Sequence, residues 1–449
     1  MLKRFSLYGF LKNQQYYDYF ILLAFRQMGL SYFTIGILIA FREVMINIME
    51  IPTGGIADLC GRRRSMIFSF IAYIISFSVF GFAGTAAAGG GLPGGVLIPL
   101  LMAAMVFFAV GEAFRTGTHK ALIFGWLRLN GRESERTRVY GYTRSWSKIG
   151  SALSVAIACV IVYISSDFIT VFFYAIIPYL LNIINFLGYP EEIDCEITEN
   201  VSFSRVIGHL RETLALSLRQ ASLRRLLLES MGFEGFFKAA KDYLQPILMT
   251  AALPLAGMMF AGLGLSDEQK SIVLIGPVFF VLFLVSAAAS RNAYRLVSAP
   301  GEEDRTSRLL WGVSVGVFSI LMPAIYFQVH WTMIAGFVVL YTIQNLWRPV
   351  LISRFDAHSD ESKGATVLSI ESQAKSLSTM VIAPLLGLAV DLARIHHVGA
   401  SEFWPVGVMG FLIALAFFLT GKGQQGATFA STHPNRLDPL NPSNPQEQP

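Results

Sequence analysis

Gly55-Ile56-Ala57-Asp58-Leu59-Cys60-Gly61-Arg62-Arg63-Arg64 is a short charged connection between two long apolar stretches, Tyr32 to Ala57 and Met66 to Gly84. At roughly 20 residues or more, each stretch can cross the hydrocarbon core of a bilayer as a helix. The three arginines must then lie at a membrane face, because a cation at mid-bilayer costs about 2.5–3.5 kcal/mol on insertion scales. A tight turn, a carboxylate and a basic run at one end of two spanning helices therefore decide the fold class.

The rest of the chain agrees. It has 449 residues, 54% hydrophobic and only 14% charged, which places it with polytopic membrane proteins rather than soluble multidomain ones. A sequence pI near 9.0 would suggest nucleic acid in a soluble protein. Here the basic residues sit in short loops, where they orient helices in the bilayer, so no nucleic-acid partner is expected. Cys60, Cys159 and Cys195 have no metal-ligand or redox spacing and read as free thiols, and neither a metal nor a cofactor is expected. Lys12, Asn13, Gln14 and Gln15 interrupt the apolar run that a cleaved leader would need, so the first helix itself is expected to direct insertion.

Twelve windows are long and apolar enough to span: about Phe10–Leu30, Tyr32–Ala57, Met66–Gly84, Val96–Ile123, Val139–Ile164 and Phe168–Leu187, then Gly232–Leu253, Ser271–Ala289, Leu309–Phe327, Trp331–Leu351, Thr366–Val390 and Phe403–Leu419. The first and seventh are the most polar. The loops test the count independently. Those after spans 2, 4, 6, 8 and 10 hold 3, 4, 5, 4 and 2 Lys/Arg, whereas the opposite loops hold only Lys270 and Arg394. Such alternation places both termini in the cytoplasm.

Two patterns recur about 226 residues apart. Gly9-Phe10-Leu11-Lys12 is echoed by Gly235-Phe236-Phe237-Lys238, and Ser145-x-x-Lys148-x-x-Ser151 by Ser372-x-x-Lys375-x-x-Ser378. They fall in corresponding spans, 1 with 7 and 5 with 11, as expected of a duplicated six-helix unit. The fold class is thus an all-α polytopic membrane protein with twelve transmembrane helices in two pseudo-symmetric six-helix bundles, residues 1–189 and 228–420. Residues 190–227 read as a cytoplasmic amphipathic linker lying on the leaflet, and 421–449 as a disordered tail rich in Pro, Asn and Gln.

The pattern G-x-x-D-x-x-G-R-R over Gly55, Asp58, Gly61, Arg62 and Arg63 resembles the loop between helices 2 and 3 of the major facilitator superfamily. The resemblance extends to helix count, charge alternation and central linker. It implies that Asp58 faces the start of helix 11 and works with Arg62 and Arg63 as a gate that favours one alternating-access state. The family's basic residue after the Asp is Leu59 here, and the second-half loop Ala289–Arg295 lacks the Asp and Gly, which implies an asymmetric gate. Helix 4, Gly111-Glu112-Ala113-Phe114-Arg115-Thr116-Gly117, resembles the family's Arg-and-Gly motif with altered spacing. Helix 5 lacks the Gly-Pro element of drug/proton antiporters.

In that family helices 1, 4, 7 and 10 line the central cavity. Arg115 is then the candidate to hold an anionic group and Glu112 the candidate to carry a proton, with Lys241, Asp242 and Gln245 as second-half equivalents. Asp18 follows, within the aromatic run Tyr16–Tyr19. The bland readings are that Glu371 and Lys375 neutralise each other at i, i+4, that Arg42 and Glu43 lock helices, that Arg26 snorkels outward, and that Tyr16, Tyr17 and Tyr19 form an interfacial belt. His396-His397 has no further ligands nearby in sequence, and Asn200-Val-Ser202 falls in a cytoplasmic loop where glycosylation does not occur.

The expected function is secondary active transport of a small solute by alternating access, coupled to protons. Its alternatives are efflux of hydrophobic or amphipathic compounds and a non-transporting membrane sensor. An ATP-driven pump lacks its phosphate loop, and an intramembrane enzyme lacks a nucleophile or metal set, so no enzyme is expected. The expected setting is a monomer in a bacterial inner membrane, with the lipid bilayer, a small-molecule substrate and protons as partners.

Overall fold

The computed structural model describes residues 1–116, 118–132, 135–190, 218–260, 263–292, 303–358, 364–396 and 401–420, with the single positions 192 and 215. Most of the expected surface linker, the C-terminal tail, Cys195, Asn200 and His397 lie outside them. The described residues form helices and no strand: α1a (Leu2–Lys12), α1b (Ile21–Gln27), α2 (Tyr32–Cys60), α3 (Arg62–Ala88), α4 (Gly94–Arg115), α4b (Thr118–Leu129), α5 (Arg136–Ser165) and α6 (Thr170–Leu187), followed by α7a (Ala221–Ser230), α7b (Phe236–Ala240), α7c (Leu244–Met259), α8 (Asp267–Asn292), α9 (Glu303–Tyr326), α10 (His330–His358), α11 (Gly364–His396) and α12 (Trp404–Thr420).

Eight of these, α2, α3, α4, α5, α6, α8, α9 and α11, contain stretches long and apolar enough to cross a membrane. The other four expected windows have physical reasons for falling short. Spans 1 and 7 are interrupted, α10 carries Gln344, Asn345 and Arg348, and α12 has 17 residues. Large apolar side chains such as Phe68, Phe82, Ile164, Ile184 and Leu412 point outward, as a lipid-facing surface requires.

Contacts between helix ends define two faces. On one, Arg4 and Asn185 exchange 3.0 Å hydrogen bonds, Arg63 donates to the Tyr189 carbonyl, and Arg225 donates to that of Thr420. This arginine-rich face carries the start of α1a and the end of α12. On the far face Gln27 accepts from the Phe168 amide, and the Ser401 amide donates to the Tyr326 carbonyl. Helices α1 to α6 pack mainly on one another, as do α7 to α12, and the principal bridges between the halves are α2 with α11 and α5 with α8.

The two sequence echoes meet in space. A Cβ on Gly9 would lie 2.8 Å from the Ser147 hydroxyl, and one on Gly235 would lie 2.6 Å from the Ser378 side chain. Each Gly-Phe-x-Lys element thus presses against the Ser-x-x-Lys-x-x-Ser helix of its own half, α1a on α5 and α7b on α11, and only a glycine permits the approach.

The first span corrects the expected window. It begins at Leu2 and unwinds between Asn13 and Phe20. Two of its backbone groups are satisfied from span 7, since Gln245 accepts from the Leu22 amide while donating to the Asp18 carbonyl, and the Gln14 side chain of the unwound stretch donates to the Gly150 carbonyl of α5. Span 7 stays helical but changes its pitch twice. A π-turn covers Met231–Gly235 and a 3₁₀ turn covers Lys241–Tyr243, where Pro246 supplies no amide for the Asp242 carbonyl. Span 4 also differs, ending at Arg115 before a separate helix. Between α2 and α3 the chain turns at Gly61 alone, with φ +94° and ψ 137°, a region that essentially only glycine occupies.

Candidate functional site

A cavity of about 650 Å³ lies between the halves. Its walls come from the arginine-rich ends of α5 (Lys148, Ser151), α8 (Phe283, Ser286) and α11 (Lys375), from α7 (Glu234, Lys238) and from mid α10 (Tyr341, Gln344). It therefore opens toward the arginine-rich face. At its deep end Asp18 and Tyr19, from the unwound stretch of span 1, face Lys241, Asp242 and Gln245 of span 7. Such a volume is typical of a small-molecule site.

Four of the expected site residues converge at that deep end. Lys241 Nζ lies 2.7 Å from Asp242 and 3.4 Å from Asp18, one cation between two carboxylates from opposite halves. Gln245 spends both ends of its amide on the backbone of span 1, so it clamps the halves together. Tyr16, Tyr17 and Tyr19 do not form an outer belt. All three are buried, with Tyr17 against Phe77 at 4.6 Å and Tyr19 against Phe283 at 5.6 Å.

Glu112 and Arg115 stand apart from this cavity. They pair with each other along α4, the Tyr73 hydroxyl donates to Glu112, and Tyr73 stacks on Tyr179 at 4.6 Å inside the first half. The structure thus separates the expected site residues into a cavity group and a first-half group.

Around the cavity three further networks assign the buried charges. Glu43 of α2 is 1% exposed and receives Lys238 of α7 at 2.6 Å, Ser376 of α11 at 2.9 Å and Arg42 at 3.2 Å, which joins the halves. Glu371 does not pair with Lys375. It accepts two hydrogen bonds from Arg348 of α10, at 2.6 and 3.1 Å, and one from Ser230. The planar guanidinium matches both carboxylate oxygens, which an ammonium one turn away on the same helix cannot do. Glu229 is held likewise by Arg354 and Arg225.

Glu234 is different. It is 6% exposed, its Oε1 is buried without a hydrogen-bond partner, and Oε2 accepts only from Gln344 at 3.3 Å. Glu234 is not among the candidates that the sequence singles out. Its signal was its place between Gly232 and Gly235, the glycines of the π-turn.

The far face is closed above the deep end. Asp391 of α11 accepts from the Tyr32 and Phe33 amides at 3.1 and 2.7 Å, capping α2 from the other half. Gly36 and Gly387 let α2 and α11 touch through their backbones, and Tyr32, Tyr243 and Phe403 plug the path with centroid separations of 5.7–6.4 Å. Arg26 lies 4.5 Å from the Tyr32 ring and donates to the Leu30 carbonyl. On the other seam Gln269 of α8 donates to the Tyr163 carbonyl of α5 at 2.8 Å.

Of the expected gate, Gly55 and Asp58 lie within α2, Gly61 makes the joint, and Arg62 and Arg63 open α3; the side chain of Asp58 lies outside the described residues. Among the described residues no three His, Cys, Asp or Glu cluster to hold a metal ion.

The family model described as Major Facilitator Superfamily matches residues 15–382. Several solved structures share the fold. The nucleoside transporter NupG superposes with a TM-score of 0.70 at 9% identity, covering 94% of this chain and 98% of that one. A bacterial homologue of the iron transporter ferroportin in an inward-facing state gives 0.67 at 11% identity, with 94% and 97% covered. A D-xylose–proton symporter gives 0.62 at 15% identity, with 93% and 96% covered. No curated protein is similar to the chain in sequence.

Proposed function

Because the chain belongs to the Major Facilitator Superfamily, we propose that it moves a small solute across a bacterial inner membrane by alternating access, with proton coupling, and that residues 1–189 and 228–420 are its two moving halves. The arginine-rich face is the cytoplasmic one, since cytoplasmic loops retain Lys and Arg. The observation that carries the reading is the asymmetry of the seam. The halves touch at the far face through Asp391 on α2 and Gln269 on α5, while a cavity of about 650 Å³ separates them toward the arginine-rich face. This is the inward-open state of a two-state machine. The inward-facing bacterial homologue of ferroportin has the same fold.

Proton coupling rests on Asp18, Asp242 and Glu234. Two carboxylates share one lysine at the deep end, and Glu234 has neither an ion pair nor a full hydrogen-bond shell. Adding a proton to Glu234 removes a buried charge that has no ion pair. Lys241 links Asp18 of the first half to Asp242 of the second, so protonation there also loosens a tie between the halves.

Spin labels at Tyr163→Cys and Gln269→Cys, in a chain whose native cysteines are replaced by Ser, test this directly. The expected distance distribution has a short component for the closed far seam and a long one whose share changes with pH. A single short distance at every pH and in the presence of every candidate solute refutes alternation.

A further inference from the structure

The repeated Ser-x-x-Lys-x-x-Ser pattern delivers one lysine from each half to the same chamber: Lys148 of α5 and Lys375 of α11 both line the cavity. The other cavity cations are already matched. Lys241 lies between Asp18 and Asp242, and Lys238 is bound to Glu43. Lys375 has a carboxylate one turn away in sequence, yet Glu371 is fully engaged by Arg348 and Ser230. Among the described residues neither Lys148 nor Lys375 has a carboxylate within ion-pair distance.

The one carboxylate of the walls not already committed is Glu234. Its Oε1 is buried without a hydrogen-bond partner, and it forms an ion pair with neither lysine. The chamber therefore presents to its contents two ammonium groups that no carboxylate holds in an ion pair. The remaining lining includes five aromatic rings, those of Tyr19, Phe237, Phe279, Phe283 and Tyr341.

We propose that the cavity is an organic-anion site, in which Lys148 and Lys375 grip the anionic group of the solute from the two halves while the aromatic wall receives its apolar body. The proposal rests on the cavity being the transport site. It adds a reason for the duplication: equivalent lysines on α5 and α11 let one anion bridge the halves, so the occupied state can rock as a unit.

The test needs no knowledge of the natural solute. Purified protein is treated with 4-sulfophenyl isothiocyanate or with uncharged phenyl isothiocyanate, two reagents of equal chemistry that differ by a sulfonate. The neutral fraction of one lysine adds to the isothiocyanate carbon to give a thiourea, while the other ammonium holds the sulfonate. Peptide mass spectrometry reads the anionic-to-neutral labelling ratio at each lysine, with exposed Lys3 as the internal standard. We expect the ratio at Lys148 and Lys375 to exceed that at Lys3 by about tenfold, the factor that 1.4 kcal/mol of binding produces.

Lys148→Gln should bring the ratio at Lys375 down to that of Lys3, and Lys375→Gln should do the same at Lys148. Unchanged labelling by the neutral reagent shows that each variant is folded. A ratio equal to that of Lys3 in the wild type overturns the anion site, and a ratio at one lysine that ignores loss of the other overturns the shared grip. Either result leaves the spin-label test of alternation untouched, so the two readings fail separately.

Discussion

Asp391→Asn is the perturbation whose size the structure sets best. The Asp391 carboxylate accepts the Tyr32 amide at 3.1 Å with one oxygen and the Phe33 amide at 2.7 Å with the other. These are two of the four amides that a helix start leaves without internal partners. The helix's own cap, Ser31, serves Thr34. A capping side chain contributes about 1 kcal/mol, and its charge at the positive end of the helix dipole contributes about 0.3–1 kcal/mol more. Asparagine keeps one acceptor and loses the charge, so the far-face closure weakens by about 1–2 kcal/mol. That is a factor of about 5–30 in the population with the far face open. Cys159 reports it, because its sulfur packs 3.0 Å from where a Gly276 Cβ would lie, at the α5–α8 contact on the far-face side. With Cys60 and Cys195 replaced by Ser, alkylation of Cys159 from the far side should accelerate by that factor in Asp391→Asn. Asp267→Asn is the control, since Asp267 pairs only with Lys270 of its own helix. Equal rates in wild type and Asp391→Asn, or the same acceleration in Asp267→Asn, would refute the latch.

Other substitutions test the joints around it. Gly61→Ala forces a side chain into φ +94°, and thermal unfolding should show a loss of about 1–3 kcal/mol. Glu43→Gln removes the charge that Lys238 and Arg42 share; we expect about 1.5–3 kcal/mol of destabilisation, with a coupling to Lys238→Gln in a double-mutant cycle. An additive result would detach Lys238 from that network. Arg115→Ala should destabilise the first half by about 1–3 kcal/mol yet leave the sulfonate preference of Lys148 and Lys375 intact, because Arg115 pairs with Glu112 outside the cavity. Asp58→Asn should slow opening of the far seam more than it weakens retention of any solute, and equal losses in both would remove Asp58 from gating.

The fold was readable because bilayer physics restricts the choices. Apolar length, arginine alternation and the Gly61 joint each report on the same helices. The interruptions of spans 1 and 7 were visible only as polarity. Asp18 and Gln245 read as candidate ligands, whereas Gln245 serves a backbone that the pattern could not show to be unwound. The i, i+4 spacing of Glu371 and Lys375 suggested a pair, but a planar guanidinium from α10 competes better for both oxygens. Sequence spacing sees neighbours along a helix and is blind to those across an interface. The lysine pair was legible as a repeat long before its meaning was, since only the packing shows both copies facing one chamber.

Two-sided access to the chamber tests the central claim most directly. Ser151→Cys places a thiol on the cavity wall of a chain otherwise free of cysteine, in vesicles of known orientation. We expect an impermeant maleimide to reach it from the arginine-rich side readily and from the far side slowly. Tethering α5 to α8 at the far seam should abolish only the slow route; in that variant Tyr163→Cys and Gln269→Cys are joined by a bismaleimide before Ser151→Cys is unmasked by reducing a protecting disulfide. Labelling from one side alone, untouched by the tether, would contradict alternating access through this cavity.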